Sequence, residues 1–122
     1  MISYVTLGTS DLAKATAFYE SLLGELGAKR LINMDRIVFF GRSPKEPMIA
    51  VCVPYNKEAA DCGNGNMVSI AAGSKENVDA LYKKALSLGA TCDGEPGERI
   101  PNVFYGAYIR DPDGNKVCFC HM

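Results

Sequence analysis

The chain runs through the same order of elements twice, and this repetition restricts its fold more than any single motif does. Residues 2–8, Ile-Ser-Tyr-Val-Thr-Leu-Gly, alternate as a strand, with Val5 and Leu7 on one face and Tyr4 and Thr6 on the other. Ser10 reads as an N-cap with Asp11 in the first helical turn. Leu12, Ala15, Tyr19, Leu22, Leu23 and Leu26 then recur at helical spacing, up to a stop near Gly24 or Gly27. A hairpin over 28–33 and 36–42, turned around Met34-Asp35, precedes a strand at 47–53 that ends at Pro54. The stretch 55–66 is polar and rich in Gly and Asn, a linker in character. The order then restarts with a strand at 67–72 and a helix capped by Ser74, whose stripe is Val78, Leu81, Tyr82, Ala85 and Leu88 and whose stop is Gly89. A short strand at 90–93, a Gly/Pro loop and a terminal hairpin complete the chain. Each half reads βαβββ.

Register supports a true repeat. Tyr4 maps to Met67 and Tyr19 to Tyr82, both at a shift of 63 (67−4, 82−19). Leu26-Gly27-Ala28 matches Leu88-Gly89-Ala90 at 62, and Phe40, Arg42 and Ala50 match Tyr108, Arg110 and Cys118 at 68. About six extra residues therefore fall near 94–103, where two glycines and two prolines crowd. That stretch is expected to be a loop able to act as a lid.

The terminal hairpin carries the most local detail. Pro112 presets the first corner of a type I turn in Asp111-Pro-Asp-Gly114, and Gly114 closes it in the left-handed region. Pairing Asp111 with Asn115 sets Tyr108 opposite Cys118 and Gly106 opposite Cys120 on one face. Ile109, Val117, Ala107 and Phe119 take the other, more apolar face, which should carry a helix.

The composition excludes several functions. A net charge of −1 over 122 residues, with no basic run, argues against nucleic acid or an anionic membrane as partner. No apolar run reaches the length of a membrane span, and a strand pattern at the very start leaves no room for a signal peptide. Five cysteines, none in a CxxC pair, fit a reduced cytoplasmic protein better than a disulfide scaffold.

Tyr4-Val-Thr-Leu-Gly-Thr-Ser-Asp-Leu12, the Phe18-Tyr19…Leu22-Leu23-Gly24 helix and Arg110-Asp-Pro-Asp-Gly-Asn-Lys116 together resemble the vicinal oxygen chelate superfamily of glyoxalase I, bleomycin-resistance proteins and extradiol dioxygenases. The resemblance covers essentially the whole chain as one domain. It implies an α+β fold of tandem βαβββ modules, about 1–54 and 67–122, forming a curved mixed sheet with helices on the convex face and a cup inside. In that family the cup holds a divalent metal through first and last strands of each module. The matching positions here are Tyr4, Ala50, Met67 and Cys118. Alanine and methionine supply neither a hard oxygen nor an imidazole nitrogen, and a phenol must ionise to bind well. No metal or other cofactor is expected.

Strand alternation and the repeat place Tyr4, Thr6, Val38, Phe40, Ala50, Cys52, Met67, Ser69, Gly106, Tyr108, Cys118 and Cys120 inward. That set is apolar, aromatic and soft, suited to a flat or apolar small molecule; alternatively these side chains simply fill the concave face. Three cysteines admit soft-metal or nucleophilic chemistry, but buried inert thiols are the plainer reading, since His121 alternates onto the opposite face. Arg42 and Arg110 either stabilise their turns, Arg110 beside Asp111 or Asp113, or meet an acidic ligand group. The favoured function is small-molecule binding without the usual metal. The alternatives are a glyoxalase- or lyase-type enzyme working through cup tyrosines, cysteines or a displaced metal, and a dimeric interaction protein without ligand. Module edges in need of partners imply a homodimer.

Overall fold

The computed structural model describes all 122 residues. They divide into two compact units, Met1–Cys62 and Gly63–Met122, each with one helix on one four-stranded mixed sheet.

The first unit contains β1 (Tyr4–Gly8), α1 (Leu12–Gly24), β2 (Lys29–Asn33), β3 (Ile37–Gly41) and β4 (Met48–Cys52). Its strands lie in the order β1-β4-β3-β2, with β1 parallel to β4 and the other pairs antiparallel. The N-cap of α1 is Asp11 rather than Ser10, because the Asp11 carboxylate accepts the Lys14 backbone N–H at 3.1 Å. Gly27, at φ 78°, turns the chain out of the helix, and the Ala28 N–H closes on the Leu23 carbonyl at 3.1 Å. Ala15, Phe18, Tyr19, Leu22 and Leu23 of α1 are buried, and the helix packs on β2, β3 and β4.

The second unit contains β5 (Val68–Ala71), α2 (Lys75–Ser87), β6 (Thr91–Ile100), β7 (Phe104–Arg110) and β8 (Lys116–His121), with sheet order β5-β8-β7-β6. Ser74 caps α2 by accepting the Asn77 N–H at 3.1 Å. The terminal hairpin has the expected register, with Tyr108 opposite Cys118 and Ile109 opposite Val117. Its apolar face lies under α2, whose Val78, Leu81, Tyr82 and Ala85 are buried.

The stretch expected to be a lid is strand. β6 continues through Ile100, paired with β7 across three irregularities, before Pro101–Val103 turn the chain. Bulges absorb the glycines and Pro96 without ending the ladder.

The two units match element by element, down to a bulge in the same place: between Arg30 and Ile32 in β2, and between Cys92 and Gly94 in β6. The expected register nevertheless slips by one residue. Phe39 pairs with Ala50 as Tyr108 pairs with Cys118, so β3 maps to β7 at 69 (108−39) while β4 maps to β8 at 68 (118−50). The turn between β3 and β4 is one residue longer than its counterpart. The equivalent of Arg110 is therefore Gly41, not Arg42. No helix is long and apolar enough to cross a membrane.

Candidate functional site

Each sheet has one face under its helix and one that its helix does not cover. In the first unit the uncovered face carries Tyr4 and Thr6 from β1, aligned with Met48 and Ala50 of β4, and Cys52 opposite Gly8. Phe39 and Ile37 of β3 join them opposite Ala50 and Cys52. Ile37, Phe39, Ala50 and Cys52 form a buried apolar cluster, with Met48 packed against it. The Tyr4 ring meets Phe39 edge-on, centroids 5.0 Å apart at 77°.

Phe40 and Val38 do not belong to this face. They pair with Ile49 and Val51 on the helix side, where Phe40 is 1% exposed. A one-residue slip moves a strand residue to the opposite side of its sheet, so Phe39 takes the place expected of Phe40.

In the second unit the uncovered face carries Ser69 and Ala71 of β5 opposite Cys118 and Cys120 of β8, with Tyr108 and Gly106 of β7 beyond them. Met67 lies just before β5 and is exposed. The Ser69 hydroxyl donates to Cys120 Sγ at 3.3 Å. Burial pushes the Cys118 thiol up, and the Ser69 hydroxyl and the Arg99 charge only partly oppose this.

Cationic side chains that the sequence reading left out surround Tyr108. The Arg99 guanidinium lies 5.3 Å and the Lys116 ammonium 5.4 Å from the Tyr108 ring centroid. Arg110 donates to the Asp93 carboxylate at 3.1 Å and to the Gly114 carbonyl at 3.2 Å, while Lys116 reaches Asp93 at 3.3 Å. The Lys116 ammonium above all, with Arg110, holds the Asp93 carboxyl below its usual range. Arg42 instead pairs with Glu46 inside its own turn, at 3.2 Å. Arg99, with Glu95 and Glu98 a charged member of 94–103, has no readable role while that stretch reads as loop; as strand, its alternation with Glu98 is plain.

His121 pairs with Tyr105, whose hydroxyl donates to Asp79 of α2 at 2.7 Å, and so lies on the helix side. It lines a shallow cavity of about 200 Å³ with Lys75, Glu98, Asn102, Tyr105 and Met122, away from the thiols of β8.

All five cysteines are free; Cys52, Cys118 and Cys120 are buried, Cys92 is exposed and Cys62 half-buried. With iodoacetamide at pH 8, Cys92 and Cys62 are expected to alkylate first. Cys118 should resist until the protein unfolds, because the thiolate is the nucleophile and its formation there is suppressed. Because burial disfavours the Cys118 thiolate, fold stability is expected to be unaffected by this group below the ordinary thiol range and to fall as pH climbs above it. Peptide mapping of the alkylated protein checks the order, and early labelling of Cys118 would contradict it.

The positions corresponding to the superfamily's metal ligands do not fit a divalent ion. In the first unit Tyr4 and Ala50 offer a phenol and a methyl group; in the second, Met67 and Cys118 offer a thioether and a thiol held in its neutral form. No three His, Cys, Asp or Glu side chains come together in a way that would hold a metal ion.

Residues 1–119 match the family model of the Glyoxalase/Bleomycin resistance protein/Dioxygenase superfamily. Among solved structures, a glyoxalase/bleomycin resistance protein from Albidiferax ferrireducens T118 is 38% identical, with a TM-score of 0.90, over 100% of this chain and 98% of that one. A lactoylglutathione lyase from Agrobacterium tumefaciens is 27% identical, with a TM-score of 0.70, over 98% of this chain and 92% of that one. A putative glyoxalase from Bacillus halodurans, 24% identical at a TM-score of 0.78 over 98% and 94% of the two chains, shares the fold. A comparison with curated proteins found no match.

Proposed function

The chain belongs to the Glyoxalase/Bleomycin resistance protein/Dioxygenase superfamily, and from that premise we propose that it binds a small apolar or aromatic molecule on its helix-free sheet faces, without the superfamily's usual divalent metal. The observation that carries this reading is the pairing of an aromatic, small-residue surface with positions that offer neither imidazole nor carboxylate. Tyr4 with Phe39 in one unit, and Tyr108 above Ser69, Cys118 and Cys120 in the other, give flat contact surfaces. Recognition by stacking and apolar burial needs no hard ligand.

A thermal-shift screen of flat aromatic compounds tests this. A hit is expected to raise the melting temperature with the logarithm of its concentration once that exceeds Kd, and Tyr108→Ala is expected to weaken its binding by roughly tenfold, the scale of one lost aromatic contact. A screen without hits, or hits indifferent to both Tyr108→Ala and Tyr4→Ala, would count against the proposal.

The likeness to a lactoylglutathione lyase supports a second reading, turnover of the glutathione hemithioacetal of methylglyoxal. The assay is run with added Ni²⁺ or Zn²⁺, and no turnover is expected. Turnover, or a stoichiometric metal in protein purified without a chelating tag, would favour the enzyme over the binding protein.

A further inference from the structure

The helix-free face of the second unit is charged out of proportion to the chain. The whole protein carries a net charge of −1, yet this face gathers Arg99, Arg110 and Lys116 around Tyr108. Its carboxylate is Asp93, already shared between Arg110 at 3.1 Å and Lys116 at 3.3 Å. The neighbouring acids turn elsewhere. Glu98 pairs with Lys75 at 3.2 Å on the helix side, and Glu95 meets Arg99 through its backbone carbonyl.

Arg99 is thus a cation without a carboxylate. It is exposed, and its guanidinium is steadied by the Glu95 carbonyl and the Tyr108 ring. Two glycines make room for it. A Cβ at Gly97 would come within 2.9 Å of Arg99 Nη1, and one at Gly94 within 2.8 Å of Tyr108 Cδ2 and 3.4 Å of Arg99 Nη2. The guanidinium consequently lies close over the sheet, with donors to spare. A guanidinium without a carboxylate partner matches one by two parallel hydrogen bonds, and its contacts with the Glu95 carbonyl and the Tyr108 ring lower the ordering cost of binding. Beyond Tyr108 on the same face, Cys118 of β8 and then Ser69 and Ala71 of β5 form a floor of small side chains, with the Ser69 and Ala71 positions exposed.

We propose that this face takes a planar organic anion, an aromatic or conjugated carboxylate, with its ring on the small-residue floor beside Tyr108 and its carboxylate on Arg99. The proposal rests on the reading of the helix-free faces as a small-molecule site and narrows its ligand to one chemical class.

The test compares 2-naphthoate with 2-naphthamide, matched in shape and differing in charge, by calorimetric titration of the full chain. Wild-type protein is expected to prefer the naphthoate by about tenfold, with the preference shrinking as salt rises while naphthamide binding holds. Arg99→Gln should bring the preference close to one with naphthamide affinity unchanged. Arg99→Lys should keep part of it, and Lys14→Gln, on exposed α1 surface, should leave it intact. Equal binding of the two probes to wild type overturns the choice of an anion while the binding reading stands. A preference that survives Arg99→Gln, or that falls equally with Lys14→Gln, overturns the assignment to Arg99. If neither probe binds, the assignment of this face to an aromatic carboxylate falls, while the small-molecule reading is decided by the thermal-shift screen. Should Arg99→Gln fail to fold, Arg99→Lys and the salt dependence decide the same question, since a preference indifferent to salt excludes an ionic anchor.

Discussion

Phe40→Ala is expected to destabilise the protein by about 3–5 kcal/mol, the usual cost of removing a buried phenyl ring from a closely packed core. Phe40 is 1% exposed and lies on the face under α1, opposite Ile49 and Arg30. The substitution deletes its transfer energy and leaves a void between β3 and the buried side of α1 that closes only if the helix moves. Urea denaturation should show a lower midpoint with little change in slope. Ligand affinity, measured under conditions where the variant stays folded, should barely change, because the ring points away from Tyr4 and Thr6. A variant of near-normal stability that has lost ligand binding would place Phe40 on the other face and contradict the pairing of β3 with β4.

Asp111→Ala is expected to cost about 3 kcal/mol, at the upper end for hydrogen bonds to a charged group. The carboxylate is 5% exposed and organises the β7–β8 turn. Its Oδ1 accepts the backbone N–H groups of Asp113 and Asn115, both at 2.9 Å, and its Oδ2 accepts from Asn115 Nδ2 at 3.0 Å. Alanine leaves these donors without that acceptor in a place water reaches poorly, since Asn115 is itself only 6% exposed. Asp111→Asn should cost less, about 1 kcal/mol, because its amide oxygen can still accept the two backbone donors while its NH₂ faces the Asn115 amide. Thermal unfolding of both variants checks the order. A loss under about 0.5 kcal/mol for the alanine variant, the range of an ordinary surface change, would mean that the turn holds without the carboxylate.

Much of this architecture was legible before any coordinates. Two βαβββ halves, the Ser74 cap, the Met34-Asp35 turn and the register of the terminal hairpin all follow from short-range patterns: period-2 and period-3.6 alternation, and turn residues whose φ preferences are intrinsic. What failed was longer in range or finer in phase. Phe40 was placed on the wrong face because the turn after β3 holds one residue more than the turn after β7, and alternation turns one residue of error into a complete reversal. The lid over 94–103 was read from Gly94, Pro96 and Gly97, which suit loops by propensity. In the sheet they sit at irregularities of β6, where the absence of side chains admits Tyr108 and Arg99. Arg99 itself carried no signal, because a lone arginine in a presumed loop has no face.

The sequence by itself determined which elements form and their order, since each depends on residue identity and on neighbours a few positions away. Only the tertiary structure decided which residues share a surface: Phe39 in place of Phe40, and Arg99 beside Tyr108 and Lys116. The physical reason is that a strand's side chains take their sides from hydrogen-bonded pairing with a partner strand. That pairing depends on turn lengths and bulges summed along the chain, whereas helices and turns are settled locally.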